Sequence, residues 1–452
     1  MLVVSLELKN IGLINYANVK IDGLSIIAGE NDTGKSTIGK TMFAIIKAFS
    51  RYEQDFNEDN KRQIYRLLHN IFMRVRRLSN IDSLEINLVR EFSPPKLMKE
   101  IEFYLDMKDI ESIENLLNYR IYLIEDSKLK ESEKELIISK LISLIKEISY
   151  FSSGEKKEYI NNALRLAFMS EFGTEISNKL SKGDSWVKFS EGLDNVLEVS
   201  IRENIIENLS YSEEELFFND VTYIETPFIL QMYDLIERST AFLEDEEKTA
   251  NKFSNIRKSI VPFHIKDIIN KLANSEYFNE ITNMEKYQES ILNKINNIVD
   301  GEVVFNKKKR DFFYQKEYNG EKFRIKSANI ASGVKAFSLI QMLVKSGILN
   351  DRSLFIVDEP EIHLHPKWQV EYCKIIVELV KNGVPVLVTT HSPYILQALK
   401  VFSDKAGIYD KTNFYFAEKV DNNLGTEVYE VNENLNKVFR KLSDPLQKLV
   451  WE

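Results

Sequence analysis

The stretch from Gly29 to Ser36, GENDTGKS, has the residue types and spacing that hold a nucleoside triphosphate. It fits G-x-x-x-x-G-K-[ST] and lies between an apolar strand pattern and a helical pattern. Backbone N–H groups of such a loop, with the following helix N-terminus, surround phosphate oxygens. The lysine bridges the β- and γ-phosphates, and the serine hydroxyl binds Mg²⁺. We therefore predict ATP binding by Gly29, Asn31, Thr33, Gly34, Lys35, Ser36 and Thr37.

A second chemical signal is the segment LFIVDEPE, residues 354–361. Its four apolar residues predict a buried strand, and two carboxylates follow at the carboxyl end, where α/β sheets bind ligands. Adjacent carboxylates raise each other's pKa unless a cation lies close, so the pair favours a metal site. We predict that Asp358 and Ser36 hold Mg²⁺ and that Glu359 polarises the attacking water.

His391 is the third candidate, because it follows another apolar strand pattern in VLVTTHSP. It should therefore lie at the same sheet edge as Asp358. A neutral imidazole there can donate a hydrogen bond to a γ-phosphate oxygen or to the attacking water. We predict catalytic roles for Lys35, Glu359 and His391.

Strands and helices that position these residues follow from the apolar periodicity. The apolar segments SLFIVDEP and VPVLVTTHSP flank a helical pattern at 366–380, which is the βαβ order of a parallel sheet buried on both faces. The segment SLEINLVREF, residues 83–92, alternates and predicts another strand. Residues 96–180 are rich in Lys, Glu, Leu and Ile at helical spacing, which is typical of a helical insertion.

Composition limits the protein class. The chain has 452 residues, 44% hydrophobic and 29% charged, without an apolar run of about 18 residues, so we expect a cytoplasmic protein with no membrane partner. The single cysteine, Cys373, excludes an internal disulfide. A net charge of −9 argues against general coating of nucleic acid. The basic runs at 74–77 and 307–310 leave a local basic groove open.

The stretch ASGVKAF, with Ser332 and Gly333, opens a long apolar helical pattern. Serine can cap the first helical turn, and glycine lets the chain bend into it. The order of the motifs nevertheless resembles an ABC-type ATPase head: a Walker A loop, this Ser-Gly signature, a Walker B strand with its glutamate, and a switch histidine. The long interval between Lys35 and Ser332 resembles the SMC/RecF-like branch. The sequence pattern DEPEIHLHP…THSP is similar to that of the ATPases of overcoming-lysogenization-defect proteins and of anti-phage systems such as Septu and PARIS.

This resemblance implies an α/β fold, a P-loop NTPase of ABC type with a mixed sheet, an antiparallel β-subdomain and long helical insertions. We predict a division into five segments: the N-terminal part of the ATPase head at 1–92, a helical insertion at 93–184, strands returning to the head at 185–227, a helical lobe at 228–298 and the C-terminal part of the head at 299–452.

In the family, the signature serine and glycine contact the γ-phosphate of nucleotide held by the other protomer. The resemblance therefore implies a homodimer in which Ser332 and Gly333 act in trans. The sequence departs from the usual Leu-Ser-Gly-Gly-Gln at Ala331, Val334 and Lys335. Loss of the second glycine removes backbone freedom, and Lys335 adds a charge that could replace the polar contact of the glutamine.

Two further assignments stay open. A Q-loop glutamine is not evident, and Glu225 or Thr226 is the nearest equivalent by its place after the strand VTYI. Glu361, His363 and His365 alternate along the segment after Walker B, so they could present metal ligands on one side. The resemblance accounts for this segment without a metal, because it matches the D-loop region of the family.

The resemblance implies that ATP and Mg²⁺ are bound, that ATP closes a dimer, and that hydrolysis reopens it. We expect the dimer to control a separate effector, a nuclease or toxin, in anti-phage defence. The residues after His391 show no Glu…Asp-x-Asp pattern of a TOPRIM domain, so any nuclease activity is expected in another subunit. The alternative is a RecF/SMC-like repair ATPase that clamps DNA.

Overall fold

The structure is a computed structural model that describes residues 2–78, 88–107, 109–153, 156–179, 183–212, 215–239, 261–275, 285–420 and 425–451. The chain forms two compact units. One combines Met1–Ser50 with Leu164–Glu452, and the other is Arg51–Ala163. We call them the head unit and the helical unit.

The strands of the described residues all belong to the head unit. They are β1 (Val4–Ile11), β2 (Ile14–Ile21), β3 (Leu24–Gly29), β4 (Ser185–Glu191), β5 (Asp194–Arg202), β6 (Ile205–Tyr211), β7 (Asp220–Ile224), β8 (Glu302–Asn306), β9 (Asp311–Tyr318), β10 (Glu321–Lys326), β11 (Ser353–Asp358), β12 (Val386–Thr390), β13 (Thr412–Lys419) and β14 (Thr426–Glu430). They form an eleven-stranded sheet in the order β6-β5-β4-β1-β2-β14-β13-β3-β12-β11-β7 and a three-stranded sheet in the order β10-β9-β8.

One side of the large sheet is parallel. The neighbours β7, β11, β12, β3 and β13 all run in the same direction. Every residue of β3, β11 and β12 is buried, which explains why their sequences are apolar without alternation. The predicted βαβ unit is confirmed, because β11 pairs directly with β12 in parallel. The carboxyl ends of these strands therefore meet at one edge of the sheet.

The other side of the large sheet is antiparallel. Strands β2, β1, β4, β5 and β6 pair successively in opposite directions, and several of them alternate buried and exposed residues. Strands β8 to β10 form a separate antiparallel sheet. The predicted mixed α/β fold with an antiparallel β-subdomain and helical insertions is confirmed.

Helices of the described residues cover the sheet and build the helical unit. They are α1 (Lys35–Leu78), α2 (Pro94–Asp106), α3 (Ile110–Glu125), α4 (Glu131–Ser153), α5 (Lys156–Phe172), α6 (Tyr233–Arg238), α7 (Phe263–Ala273), α8 (Lys286–Val299), α9 (Ser332–Lys345), α10 (Pro366–Lys381), α11 (Pro393–Lys405) and α12 (Leu435–Trp451). Among the described residues, no helix combines the length and apolar character needed to cross a bilayer.

The helical unit has its own apolar core. The conformation of the residues that pack on this core corrects the prediction of a strand at 83–92. Residues 88–91 are helical instead of extended, and residues 83–87 of the predicted strand lie outside the described residues. Leu88 and Val89 pack against the cluster that contains buried Phe92, Leu117 and Leu141. Burial against helices, which the local alternation could not reveal, decides the conformation here. The five-segment division stays a prediction.

Candidate active site

The loop after β3 has the backbone shape that its sequence predicts. Gly34 has a φ of +72°, in the left-handed region that glycine adopts without strain. A Cβ atom on Gly29 would lie 2.7 Å from the carbonyl oxygen of Ala417 on neighbouring β13, so no larger residue fits there. The Thr33 hydroxyl closes the loop by donating to the Glu30 carbonyl oxygen at 2.9 Å.

Helix α1 begins at Lys35, and its first amides point out of the helix end. The Thr37 N–H donates to the Gly34 carbonyl oxygen at 3.0 Å. Within the described part of the chain, the amides of Lys35 and Ser36 donate to no backbone acceptor outside the helix. Together with the positive end of the helix dipole, they can bind phosphate oxygens.

Glycine at position 39 sets how closely α1 approaches the sheet. A Cβ atom on Gly39 would lie 2.9 Å from the Tyr223 ring and 3.2 Å from Ile356. Its absence lets α1 pack directly on β7 and β11. The helix that begins at Lys35 is thereby placed over the strand that ends in Asp358.

Three predicted catalytic residues meet at the carboxyl edge of the sheet. The Lys35 amino group donates to the Glu30 carbonyl oxygen at 2.8 Å and lies 3.5 Å from Glu359 Oε1. His391 Nδ1 lies 3.5 Å from the same oxygen. Lys35 is buried, whereas the Glu359 side chain is 24% exposed and the His391 side chain 36% exposed. The Glu359 carboxylate is thus accessible while it lies close to Lys35 and His391, the two groups predicted to bind phosphate.

The backbone conformation at Glu359 directs its side chain toward Lys35 and His391. Its φ of 46° lies in the left-handed region, which costs energy in a residue with a side chain. Its N–H compensates by donating to both the carbonyl and hydroxyl oxygens of Thr389, each at 3.1 Å. The His391 imidazole, more than the Lys35 ammonium, lowers the pKa of Glu359 against the effect of partial burial. The Glu359 carboxylate conversely raises the pKa of His391.

Asp358 is buried and held by two hydroxyl donors. Tyr223 donates to Asp358 Oδ2 at 2.9 Å, and the Thr389 hydroxyl contacts Oδ1. A carboxylate fixed in this way and the Ser36 hydroxyl are oxygen donors of the kind that Mg²⁺ prefers, so the residues present fit the ion. Bound there, Mg²⁺ would neutralise charge on the β- and γ-phosphates.

The alternating Glu361, His363 and His365 do not converge. The Glu361 carboxylate is buried against the His391 loop, the His363 ring contacts Phe228 edge-on, and His365 Nδ1 accepts from the Lys367 amide at 3.3 Å. Among the described residues, no group of three or more His, Cys, Asp or Glu side chains could hold a metal ion. The contacts of these three side chains therefore lend no support to the metal interpretation of this segment.

The Ser-Gly signature differs from a serine cap. Ser332 is the first residue of α9, and Ala331 occupies the N-cap position without a side-chain cap bond. Gly333 is required by packing, because a Cβ atom there would lie 2.6 Å from the Trp368 ring. In the described part of the chain, no hydrogen bond or ion pair links Ser332 to Lys35 or Glu359.

Lys335 points into its own protomer instead of outward. Its residue is 2% exposed, and its amino group donates to Gln231 Oε1 at 2.6 Å. The same amino group lies 5.3 Å from the centre of the Phe228 ring, and burial lowers the pKa of Lys335. A polar contact of Lys335 across a dimer is incompatible with this position, so that part of the prediction is corrected.

The two Q-loop candidates have separate contacts. Glu225 follows β7 and accepts from His264 Nε2 at 2.8 Å, while His264 Nδ1 lies 2.6 Å from Glu171. Thr226 caps the 3₁₀ helix Pro227–Gln231 by accepting from the Phe228 amide at 3.3 Å. His264 is completely buried, and its two carboxylate partners raise its pKa to about 8.

Sequence reasoning missed the residues that support the predicted ones. They are Glu171, Tyr223, His264, Gln369 and Thr389. Thr389 and Tyr223 lie within the quoted strands VLVTTHSP and VTYI, and Gln369 lies in the helical pattern at 366–380. Glu171 and His264 come from segments that are remote in the chain.

The chain matches a family model, and the relatives that it matches include two described below. The model described as AAA ATPase domain matches residues 1–396. The Septu protein PtuA of Bacillus thuringiensis is 27% identical over 216 residues, which cover 43% of this chain and 53% of PtuA. Protein ea59 of Escherichia phage lambda is 28% identical over 136 residues, covering 29% of this chain and 23% of ea59. The chain thus spans about half of one relative and about a quarter of the other.

The solved structures that the chain matches include SMC heads. The SMC head domain from Thermotoga maritima has a TM-score of 0.35 and 12% identity, covering 95% of this chain and 99% of its own. An Smc head domain with a coiled coil and joint from Pyrococcus yayanosii has a TM-score of 0.36 and 12% identity, covering 98% and 100%. These low TM-scores do not establish a shared arrangement of the whole chain. The family model, which covers most of the chain, confirms the ATPase resemblance predicted from the motifs, and the protein belongs to the AAA ATPase domain family.

Proposed function

We propose that this protein hydrolyses ATP, forms a dimer around two ATP molecules and thereby controls a separate effector protein in anti-phage defence. The observation that carries the catalytic part is the approach of Lys35 Nζ and His391 Nδ1 to one oxygen of Glu359, each at 3.5 Å. A lysine from the phosphate loop, an accessible carboxylate and a histidine are the groups that ATP hydrolysis requires at one place.

Each group has a chemical role in this proposal. The Lys35 ammonium binds the β- and γ-phosphates, and the Glu359 carboxylate accepts a proton from the attacking water. Glu359 is ionised at neutral pH, as a base must be, and the nearby His391 and Lys35 lower its pKa further. His391 donates a hydrogen bond to the γ-phosphate or orients the water. Asp358 and Ser36 hold Mg²⁺.

Dimerisation and effector control rest on the resemblance and on the relative. The resemblance supports a role of Ser332 and Gly333 in the site of a second protomer, and among the described residues Ser332 makes no hydrogen bond or ion pair to Lys35 or Glu359. The similarity to Septu protein PtuA supports a defence role. ATP-driven closure would move the parts of the chain that hold the effector, and hydrolysis would release it.

The test of the catalytic proposal is Glu359→Gln. This change keeps the side-chain shape but removes the base, so we expect hydrolysis to fall by about a hundredfold or more. ATP binding should persist, and sedimentation should show a trapped dimer with ATP. Glu371→Gln, on α10 and paired with Lys374, is the matched control. Hydrolysis by Glu359→Gln at the rate of the unmodified protein would contradict the role of Glu359.

The alternative function, a DNA clamp, is favoured by one exposed feature. The turn Lys307–Arg310 between β8 and β9 consists of four basic residues, and all four are exposed. A clamp should bind duplex DNA only with ATP, and its affinity should fall steeply with salt because phosphate contacts release counterions. A defence ATPase should instead co-purify, in an ATP-dependent way, with the co-expressed product of a neighbouring gene.

A further inference from the structure

The Glu361 side chain is buried where two active-site segments meet. One is the segment Glu359–His365 after β11, and the other is the loop Thr390–Ser392 after β12, which we call the switch loop. Glu361 Oε1 accepts hydrogen bonds from the Thr390 hydroxyl at 2.8 Å, the His391 amide at 2.6 Å and the Ser392 amide at 3.1 Å. One carboxylate oxygen therefore holds the backbone on both sides of the His391 Cα atom, and the same oxygen lies 3.2 Å from His391 Nδ1, closer than the 3.5 Å from Glu359 Oε1 to that nitrogen.

A second connection joins the same two segments. The Ser392 hydroxyl donates to Gln369 Oε1 at 2.7 Å, and Gln369 Nε2 donates to the Leu364 carbonyl oxygen at 3.0 Å. Ser392 also caps α11 by accepting from the Ile395 amide at 3.4 Å. All of these groups except Ile395 lie on the two segments or at the start of α10, so the hydrogen bonds link the two segments directly.

Burying the Glu361 carboxylate costs free energy. This cost argues that the residue has a role in the protein. Glu361 is 6% exposed, and its second oxygen, Oε2, is buried with no hydrogen-bond partner among the described residues. A buried oxygen without a hydrogen-bond partner destabilises the folded chain, because it loses its contacts with water. A shorter polar residue would avoid that cost but would not reach the switch loop.

We propose that Glu361 is a positioning residue for ATP hydrolysis, whose carboxylate oxygen fixes the switch loop and so places the His391 imidazole against Glu359. The inference rests on the proposed ATPase function. It goes beyond that function because it identifies what holds the histidine in place. The reach of the acceptor matters in this proposal, and the charge of Glu361 is secondary.

Two conservative variants distinguish the effect of the length of the Glu361 side chain from the effect of its charge. Glu361→Gln keeps an acceptor oxygen at the same distance but removes the charge, whereas Glu361→Asp keeps the charge but withdraws the oxygen by one methylene. We expect Glu361→Gln to retain kcat within about threefold and Glu361→Asp to lose about tenfold or more. ATP binding should be unchanged in both variants. It is measured with the Glu359→Gln substitution added to each, so that hydrolysis is slow.

Amide hydrogen exchange supplies a readout independent of hydrolysis. A peptide covering Val386–Ser392 should exchange faster in Glu361→Asp and Gln369→Leu than in the unmodified protein and Glu361→Gln. The opposite order, with Asp tolerated and Gln impaired, would show that charge acts on His391 and would overturn the proposal. Unchanged exchange in Glu361→Asp would overturn it as well. If the unmodified protein does not hydrolyse ATP, the proposed function fails, while the exchange experiment still tests the anchoring.

Discussion

The Tyr223 hydroxyl donates a 2.9 Å hydrogen bond to the Asp358 carboxylate, across the adjacent parallel strands β7 and β11. Both residues are buried, and burial, followed by the charge of Asp358, raises the pKa of Tyr223. Tyr223 therefore stays protonated and always acts as the donor. The bond fixes the orientation of the carboxylate that is predicted to hold Mg²⁺.

Removing this donor with Tyr223→Phe should weaken the dependence on Mg²⁺ without disturbing the core. Outer partners of metal ligands typically contribute ten- to hundredfold in affinity, so we expect the half-saturating Mg²⁺ concentration for hydrolysis to rise by about that factor. Tyr415→Phe is the control, because the Tyr415 hydroxyl accepts from the Lys20 amide at 2.9 Å, away from Asp358. Identical Mg²⁺ titrations for Tyr223→Phe and the unmodified protein would exclude this role.

The buried His264 should make stability depend on pH. Its partners Glu171 and Glu225 raise its pKa from 6.5 to about 8. Since the folded pKa lies above the unfolded one, the stabilisation is complete below pH 6.5 and is lost as pH rises through about 8. The free energy of unfolding should fall by up to about 2 kcal/mol over this interval. Urea unfolding across the interval measures it, and His264→Gln should flatten the profile. A parallel profile for the variant would contradict the prediction.

The trans role of the signature is tested by Ser332→Arg. Ser332 makes no cap bond in its own helix, so the substitution should leave the fold and the ATP affinity of the monomer nearly unchanged. A guanidinium at this place should block the γ-phosphate of the other protomer and abolish both ATP-driven dimerisation and hydrolysis. Leu193→Arg, at a fully exposed turn, is the control. Light scattering with and without ATP measures the effect, and a dimer of normal affinity would disprove it.

A network of two lysines and two aspartates, in which Lys47 and Asp267 are buried and the Asp220 side chain is 30% exposed, should contribute strongly to the stability of the head unit near β7. Lys47 Nζ lies 2.5 Å from Asp220 and 2.8 Å from Asp267, and Lys271 contacts the same carboxylates. Lys47→Met leaves two carboxylates with one cation, which should cost about 3–5 kcal/mol. Chemical unfolding should show less than about 1 kcal/mol for Lys179→Met, which breaks an exposed pair with Glu175. Equal costs for the two variants would rule out the network as a buried structural element.

Short-range patterns in the sequence determined the chemistry of the candidate site. The phosphate loop, the Asp358–Glu359 pair and His391 each follow an apolar strand, and parallel strands end at one edge. Their convergence could therefore be predicted before any coordinates. The same patterns predicted the mixed sheet, because continuous apolar runs and alternating runs differ in how many faces they bury.

Tertiary structure alone decided the partners of these residues. Residues 88–91 became helical through packing on a helical core, and Lys335 turned inward to Gln231 across 104 positions. Glu361 reached the switch loop 30 positions away. Periodicity records which face of an element is buried, but not which remote group lies opposite. The identity of the supporting hydrogen-bond partners therefore required the folded chain.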